Sequence, residues 1–272
     1  MTDVEHIHEE LKKSKKYRYL CDETLVRISQ WAAKRFEGKK AVKAAKTKLH
    51  QVYGAYFEAF RPAKIQTLLD TLSQNREQDS AALDTLAEEI MKSHISTAER
   101  LPYIRQFYAD VFQRLEKPKR LLDLACGLNP FAVPWMNLEP GTEYYAYDID
   151  TRLIALLNTF FGYLSPSYQA LTGDVLAGLP NIKADVVFLL KTLPCLEQQE
   201  KGSSEAIISA LAAKQIVVSF PGKTLTGKTK GMEDYYRGFI LNILQRQHLE
   251  YFELEYPNEN VYIINKTPFT GT

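Results

Sequence analysis

The chain has 272 residues, 45% of them hydrophobic and 25% charged, with a formal net charge of +1; these are proportions of a globular protein and exclude a disordered or fibrous one. No apolar run approaches the roughly 20 residues of a membrane-spanning helix, and the polar, acid-bearing residues 1–10 do not read as a targeting segment. Three well-separated cysteines, Cys21, Cys126 and Cys195, argue against a disulfide framework and a zinc site, and suit a cytoplasmic protein without metal or membrane partner.

The charge is divided unevenly along the chain. Residues 1–64 hold 15 Lys or Arg against 8 Asp or Glu, whereas the rest holds 19 against 25. A basic front on a mildly acidic body points to a polyanionic partner, a solvated helical surface being the plainer alternative. The first 115 residues contain no convincing strand and read as helices over 4–20, 23–36, 40–60, 62–73, 80–93 and 97–115. Asp22 and Ser80 suit N-caps and Pro62 a first helical position. Ser96 and Glu99 have the spacing of a capping box opening the last helix. Leu49, Val52, Tyr53 and Tyr56 share one helical face and read as bundle core.

From Arg120 the period changes. Strands are expected over 120–125, 143–149, 168–172, 184–191 and 215–220, with helices over 152–163, 203–213 and 233–247. Residues 251–256 and 261–265, separated by four turn residues, read as a hairpin. Alternating strand and helix implies an α/β, Rossmann-like fold: a mostly parallel seven-stranded sheet with an antiparallel hairpin edge, behind an all-helical N-terminal region. The expected division is 1–115, helical and RNA-binding (a basic bundle over 1–75 and an extension over 76–115), and 116–272, catalytic.

Leu121-Leu122-Asp123-Leu124-Ala125-Cys126-Gly127-Leu128-Asn129-Pro130 runs a buried strand into a turn with one acid and one glycine. Such turns lie where doubly wound sheets bind ligands. Gly127 leaves the backbone open to a ligand, but the G-x-G-x-x-G of a nicotinamide site is absent, so a nicotinamide dehydrogenase is the weakest reading. A cofactor without phosphate fits better. Asp148 ends the next strand, where a carboxylate grips ribose hydroxyls. Gly173-Asp174-Val175 ends the third, where Asp174 can accept from an adenine amino group. Three acid-bearing strand ends in this order resemble the S-adenosylmethionine methyltransferase fold. Cys126 reads as packing.

The whole chain from residue 11 then resembles the aminoglycoside-resistance 16S ribosomal RNA (guanine-N7) methyltransferases, the Arm/Rmt/FmrO group. The matching segments are Ser14-Lys15-Lys16-Tyr17-Arg18-Tyr19-Leu20-Cys21, Ala44-Ala45-Lys46-Thr47-Lys48-Leu49-His50, His94-Ile95-Ser96-Thr97-Ala98-Glu99-Arg100-Leu101, the Asp123–Pro130 motif, Leu190-Lys191-Thr192-Leu193-Pro194-Cys195-Leu196-Glu197, Ser219-Phe220-Pro221 and Gly227-Lys228-Thr229-Lys230-Gly231-Met232-Glu233. The resemblance implies methyl transfer from S-adenosylmethionine to N7 of the guanine numbered 1405, in 16S RNA of the assembled 30S subunit; a monomer is expected. The modification would block drugs such as gentamicin and kanamycin. Lys228 departs from several relatives, which carry arginine there; lysine keeps the charge but not the planar fork.

Guanine N7 is an unprotonated lone pair, so no general base is required. The expected cofactor set is Arg100 (for the methionine carboxylate), Asp123, Ala125, Gly127, Asn129, Asp148, Ile149, Asp174, Val175 and Lys191. Lys191 and Glu197 are expected to position the target or the cofactor. The expected RNA face is helical, from Lys12, Lys13, Lys15, Lys16, Arg18, Lys43, Lys46, Lys48 and His50, joined by Lys223, Lys228, Lys230 and Met232 near the active-site mouth. Trp135 and Tyr235 read as packing before base stacking. A small-molecule methyltransferase would not need the basic front, and a non-catalytic RNA-binding protein would have no use for Asp123, Gly127, Asp148 and Asp174 together.

Overall fold

The computed structural model describes residues 3–74, 80–222 and 231–266. Three helices, α1 (Asp3–Lys12), α2 (Asp22–Ala33) and α3 (Gly38–Ala59), open the chain. Their apolar faces meet in a core of their own: Ile7, Leu11, Leu25, Ile28, Ala41, Ala45 and Leu49 are almost wholly buried. Burial of each such leucine or isoleucine contributes about 2 kcal/mol.

The helix expected over 4–20 stops at Lys12. Residues 13–20 form turns instead, because Tyr17 and Leu20 bury their side chains and the Tyr17 hydroxyl donates to the Lys46 carbonyl. The expected basic helical face is therefore one helix end plus a turn segment. α2 starts a residue early, so Cys21 rather than Asp22 is its N-cap. Asp22 accepts from His8 and Lys12 instead.

α4 (Pro62–Gln74), α5 (Ser80–Met91), α6 (Ile95–Ala98) and α7 (Ile104–Arg114) follow. Pro62 is the first residue of α4, as its missing N–H favours. The helix expected over 97–115 is broken: Leu101–Tyr103 is a 3-10 turn, at Pro102. The capping box does not form. Ser96 lies inside α6, paired with His94, and Glu99 is drawn away to Lys191.

The sheet has seven strands in the order β3-β2-β1-β4-β5-β7-β6: β1 (Arg120–Leu124), β2 (Glu143–Asp148), β3 (Tyr168–Thr172), β4 (Ala184–Leu190), β5 (Ala213–Pro221), β6 (Glu250–Tyr256) and β7 (Glu259–Asn265). β1 to β5 are parallel, and β7 runs antiparallel between β5 and β6. The strand order reverses between β1 and β4, where open α/β sheets bind ligands. The hairpin turn has two residues, not four. Tyr256 pairs with Glu259, because Glu259 and Asn260 continue the ladder opposite Pro221 and Phe220.

Helices α8 (Val133–Met136), α9 (Thr151–Phe161), α10 (Leu193–Gln199), α11 (Ser203–Ala210) and α12 (Met232–Arg246) complete the layers. α8 and α10, each about two turns or less, fall below the length at which periodicity is legible. One sheet face packs against α4, α5 and α7 to α9 through Phe107, Tyr108, Phe131, Phe160 and Phe161. The other packs against α10 to α12 through Ile207, Ile208, Ile240 and Ile243. No helix among the described residues is long and apolar enough to cross a membrane.

Candidate cofactor and active site

The turn after β1 is built on two left-handed residues, Ala125 (φ 49°) and Gly127 (φ 51°). The strain at Ala125 is held by the Cys126 amide donating to the Tyr147 carbonyl. The Gly127 amide then donates to Asp148 Oδ2 at 2.9 Å, and the Asp150 amide to Asp148 Oδ1 at 3.2 Å. Asp148 is thus fixed across the β1–β2 boundary, and burial pushes its carboxyl up to about 6 against the pull of those amides.

This turn lines a cavity of about 760 Å³, large enough for a nucleoside-sized ligand. Ala125, Gly127, Asn129, Asp148, Ile149, Asp174, Val175, Lys191 and Arg100 all line it. Nine of the ten residues expected for a cofactor therefore converge on one space. The tenth, Asp123, lies beneath it. Its Oδ2 accepts from Asn129 and the Tyr144 hydroxyl, while Oδ1 is buried without a partner. Burial raises this carboxyl to about 7.

Arg100 is not on a surface turn but almost wholly buried. Its Nε and Nη2 donate to Glu259 at 3.0 and 2.5 Å, and its Nη1 to Asn129 Oδ1 at 2.7 Å. Three of its five N–H groups are thereby committed within the protein. Burial alone would raise the Glu259 carboxyl, but the Arg100 and Lys191 cations hold it below its ordinary value.

Lys191, another left-handed residue (φ 56°), does not pair with Glu197. Its Nζ lies 2.9 Å from Glu99 Oε2 and 3.7 Å from Glu259 Oε2. Glu197 is corrected from a positioning role to a cap: it accepts from the Gly202 amide at 2.6 Å and the Ser204 amide at 3.1 Å, at the start of α11. It is absent from the cavity wall. These bonds keep its carboxyl below its ordinary value despite burial.

Asp174 has also acquired partners that sequence reasoning missed. Oδ2 accepts from Thr24 and twice from Arg27, both on α2, and Oδ1 from the Leu176 amide. The helical front itself forms part of the wall: Leu20, Val52 and Tyr53 line the cavity beside His94, Glu99, Cys195 and Tyr236. Val52 and Tyr53, expected as bundle core, are only half-buried there. Tyr56 carries no described side chain. Burial and the Lys191 charge lower the His94 imidazole.

Of the expected RNA face, Lys15, Arg18, Lys43 and His50 are exposed. Lys43, Lys46 and His50 line a shallow groove with Lys39, and Lys16 Nζ lies 2.9 Å from His50 Nδ1. Lys12 and Lys13 are paired with Asp22 and Glu10. Lys48 is a correction: it turns inward, donating to the Gln199 carbonyl and lying over Trp31. Burial lowers its ammonium below the ordinary value. Lys223, Lys228 and Lys230 lie outside the described residues. Met232 opens α12 but has no described side chain. Trp135 is buried, whereas Tyr235 is largely exposed on α12.

Residues 13–263 match the family model described as ribosomal RNA methyltransferase (FmrO). A 16S rRNA (guanine(1405)-N(7))-methyltransferase of Micromonospora echinospora is 35% identical over 265 residues, 97% of each chain. An enzyme of the same name from Serratia marcescens is 32% identical over 259 residues, covering 93% of this chain and 94% of its own. Among solved structures, the 16S rRNA methyltransferase RmtF in complex with S-adenosyl-L-homocysteine superposes with a TM-score of 0.82 at 31% identity, over 98% of this chain and 99% of its own.

Proposed function

The chain belongs to the ribosomal RNA methyltransferase (FmrO) family, and from that membership we propose that it methylates N7 of guanine 1405 in 16S ribosomal RNA, using S-adenosylmethionine. The observation that carries the cofactor half of this reading is the convergence of Gly127, Asp148 and Asp174, from three successive strand ends, on one cavity. Full-length similarity to the named enzymes carries the target half.

The residues present fit this cofactor. The cavity has a carboxylate at each of two strand ends and an open glycine backbone, but no glycine-rich phosphate cradle. Asp123, beneath the cavity, supports this wall from behind by accepting from Asn129, which lines it. Asp148 would hold the ribose, Asp174 and Val175 the adenine, and Arg100 the methionine carboxylate with its uncommitted N–H groups. When bound, S-adenosylmethionine supplies an electrophilic methyl group.

The protein's own contribution is placement and field. N7 needs no deprotonation, so alignment of the base with the methyl group is the main requirement. Lys191 fixes Glu99 at the cavity wall, and the Arg100–Glu259 pair behind them locks both cations in place. Glu99, held at the cavity wall by Lys191, would offer a preoriented carboxylate to the cationic end of the bound cofactor and target. Lys15, Arg18, Lys43, Lys46 and His50 would meet phosphates of the folded RNA, whose shape supplies the recognition. The substrate is the assembled 30S subunit, the enzyme a cytoplasmic monomer, and the outcome aminoglycoside resistance.

Incubation with tritiated S-adenosylmethionine tests this reading: label is expected in 30S subunits and not in protein-free 16S RNA. Equal labelling of both would remove the 30S assignment, and label in neither would remove the proposed activity.

A further inference from the structure

The wall of the cavity at Asp174 is not self-contained. Thr24 and Arg27 stand three residues apart on α2, hence on one face. The Thr24 hydroxyl reaches Asp174 Oδ2 at 2.9 Å, and Arg27 reaches the same oxygen with Nε at 2.9 Å and Nη2 at 2.7 Å. Three donors saturate Oδ2, whereas Oδ1 accepts from the Leu176 amide alone among the described residues. A carboxylate oxygen has two acceptor sites, so the remaining capacity is on Oδ1. Arg27 Nη2 also donates to Gln199 Oε1 at 3.0 Å, and Lys48 Nζ to the Gln199 carbonyl, so α2 and α3 are both tied to α10 across the cavity wall. The chain just before α2 is stitched to the end of β2: the Cys21 amide donates to the Ile149 carbonyl, and the Thr151 amide to that of Tyr19.

We propose that Arg27 is a positioning residue for the adenine end of the cofactor, clamping Asp174 so that Oδ1 alone accepts from the exocyclic amino group. The helical front then serves the cofactor as well as the RNA: its docking builds the adenine-selective end of the cavity. This inference rests on the cofactor reading above.

The test is calorimetric binding of S-adenosylhomocysteine and S-inosylhomocysteine to the full chain; the second ligand carries a carbonyl where adenine has its amino group. The unaltered protein prefers the adenosyl ligand. Arg27→Ala is expected to lower S-adenosylhomocysteine affinity on the order of tenfold, to bring the ratio of the two affinities towards one, and to raise KM for S-adenosylmethionine with kcat nearly unchanged. Arg27→Lys, which keeps one donor, recovers part of the ratio. Arg27→Met, which keeps the packing of the stem but removes both donors from Oδ2, moves the ratio in the same direction and keeps the test standing should Arg27→Ala not fold. An unchanged ratio in a folded variant overturns the inference. Failure of the unaltered protein to bind S-adenosylhomocysteine overturns the cofactor reading instead.

Discussion

Arg100 and Glu259, 159 residues apart in the chain, form a two-point ion pair inside the protein, with side-chain exposures of 2% and 0%. The pair joins the turn before α7 to the start of β7 and passes through Asn129 to Asp123, beneath the cavity. Its cost in desolvation is large, so its survival depends on both partners and on the added bonds to Asn129 and Lys191.

Removal of one partner should therefore be severe. Arg100→Ala or Glu259→Ala is expected to cost about 3 kcal/mol or more, read as a shift in the urea midpoint. The double substitution Arg100→Met with Glu259→Leu should be less destabilised than either single alanine variant and still fail to bind cofactor. A double variant as unstable as both singles added together would contradict the pairing.

Glu197 separates a structural from a catalytic assignment. As an end cap of α11 its loss should cost about 1 kcal/mol, with kcat at saturating substrate within about twofold of the parent, roughly the resolution of a rate assay. A fall in kcat of a hundredfold with unchanged stability would return it to the active site.

The pH dependence of cofactor binding should follow Asp148. Ribose hydroxyls donate, so they bind the ionised carboxylate. With the folded value raised to about 6, S-adenosylhomocysteine affinity should be flat above that pH and fall below it, approaching about tenfold per unit. The same raised value means that the folded protein takes up a proton which the unfolded chain releases, so in the absence of ligand the contribution of Asp148 to stability declines as pH rises from the ordinary carboxylate range to about 6. Asp148→Asn should bind weakly and lose the pH dependence. Titration calorimetry between pH 5 and 8 measures both.

Lys15 and Lys16 probe the RNA face. Lys15→Glu with Lys16→Glu should weaken 30S binding and reduce its salt dependence, leaving S-adenosylhomocysteine binding intact. An unaltered salt slope would place the RNA elsewhere.

The sheet was legible because each buried strand is a short β-rich run ending in acid or glycine, as in Leu121–Gly127. The cavity residues were legible for the same reason, since topology alone brings strand ends together. What sequence could not supply was the long-range partnership of charges. Arg100 and Glu259 are ordinary surface types in isolation, and Glu259 lay in residues that read as a turn. Arg27 carried no motif at all, and only its docked position reveals that it faces Asp174. Lys191 and Glu197 were expected to act at one site, whereas α10, too short to be detected by period, carries Glu197 towards α11.

The most direct test of the central claim is the position of the methyl group. Purified 30S subunits would be incubated with the enzyme and S-adenosylmethionine, then treated with borohydride and aniline, which cleave at N7-methylguanine, and mapped by primer extension. A new stop at guanine 1405, absent with Asp148→Ala, is the predicted result. Methylation at another nucleotide, or intact RNA despite measured cofactor binding, would contradict it.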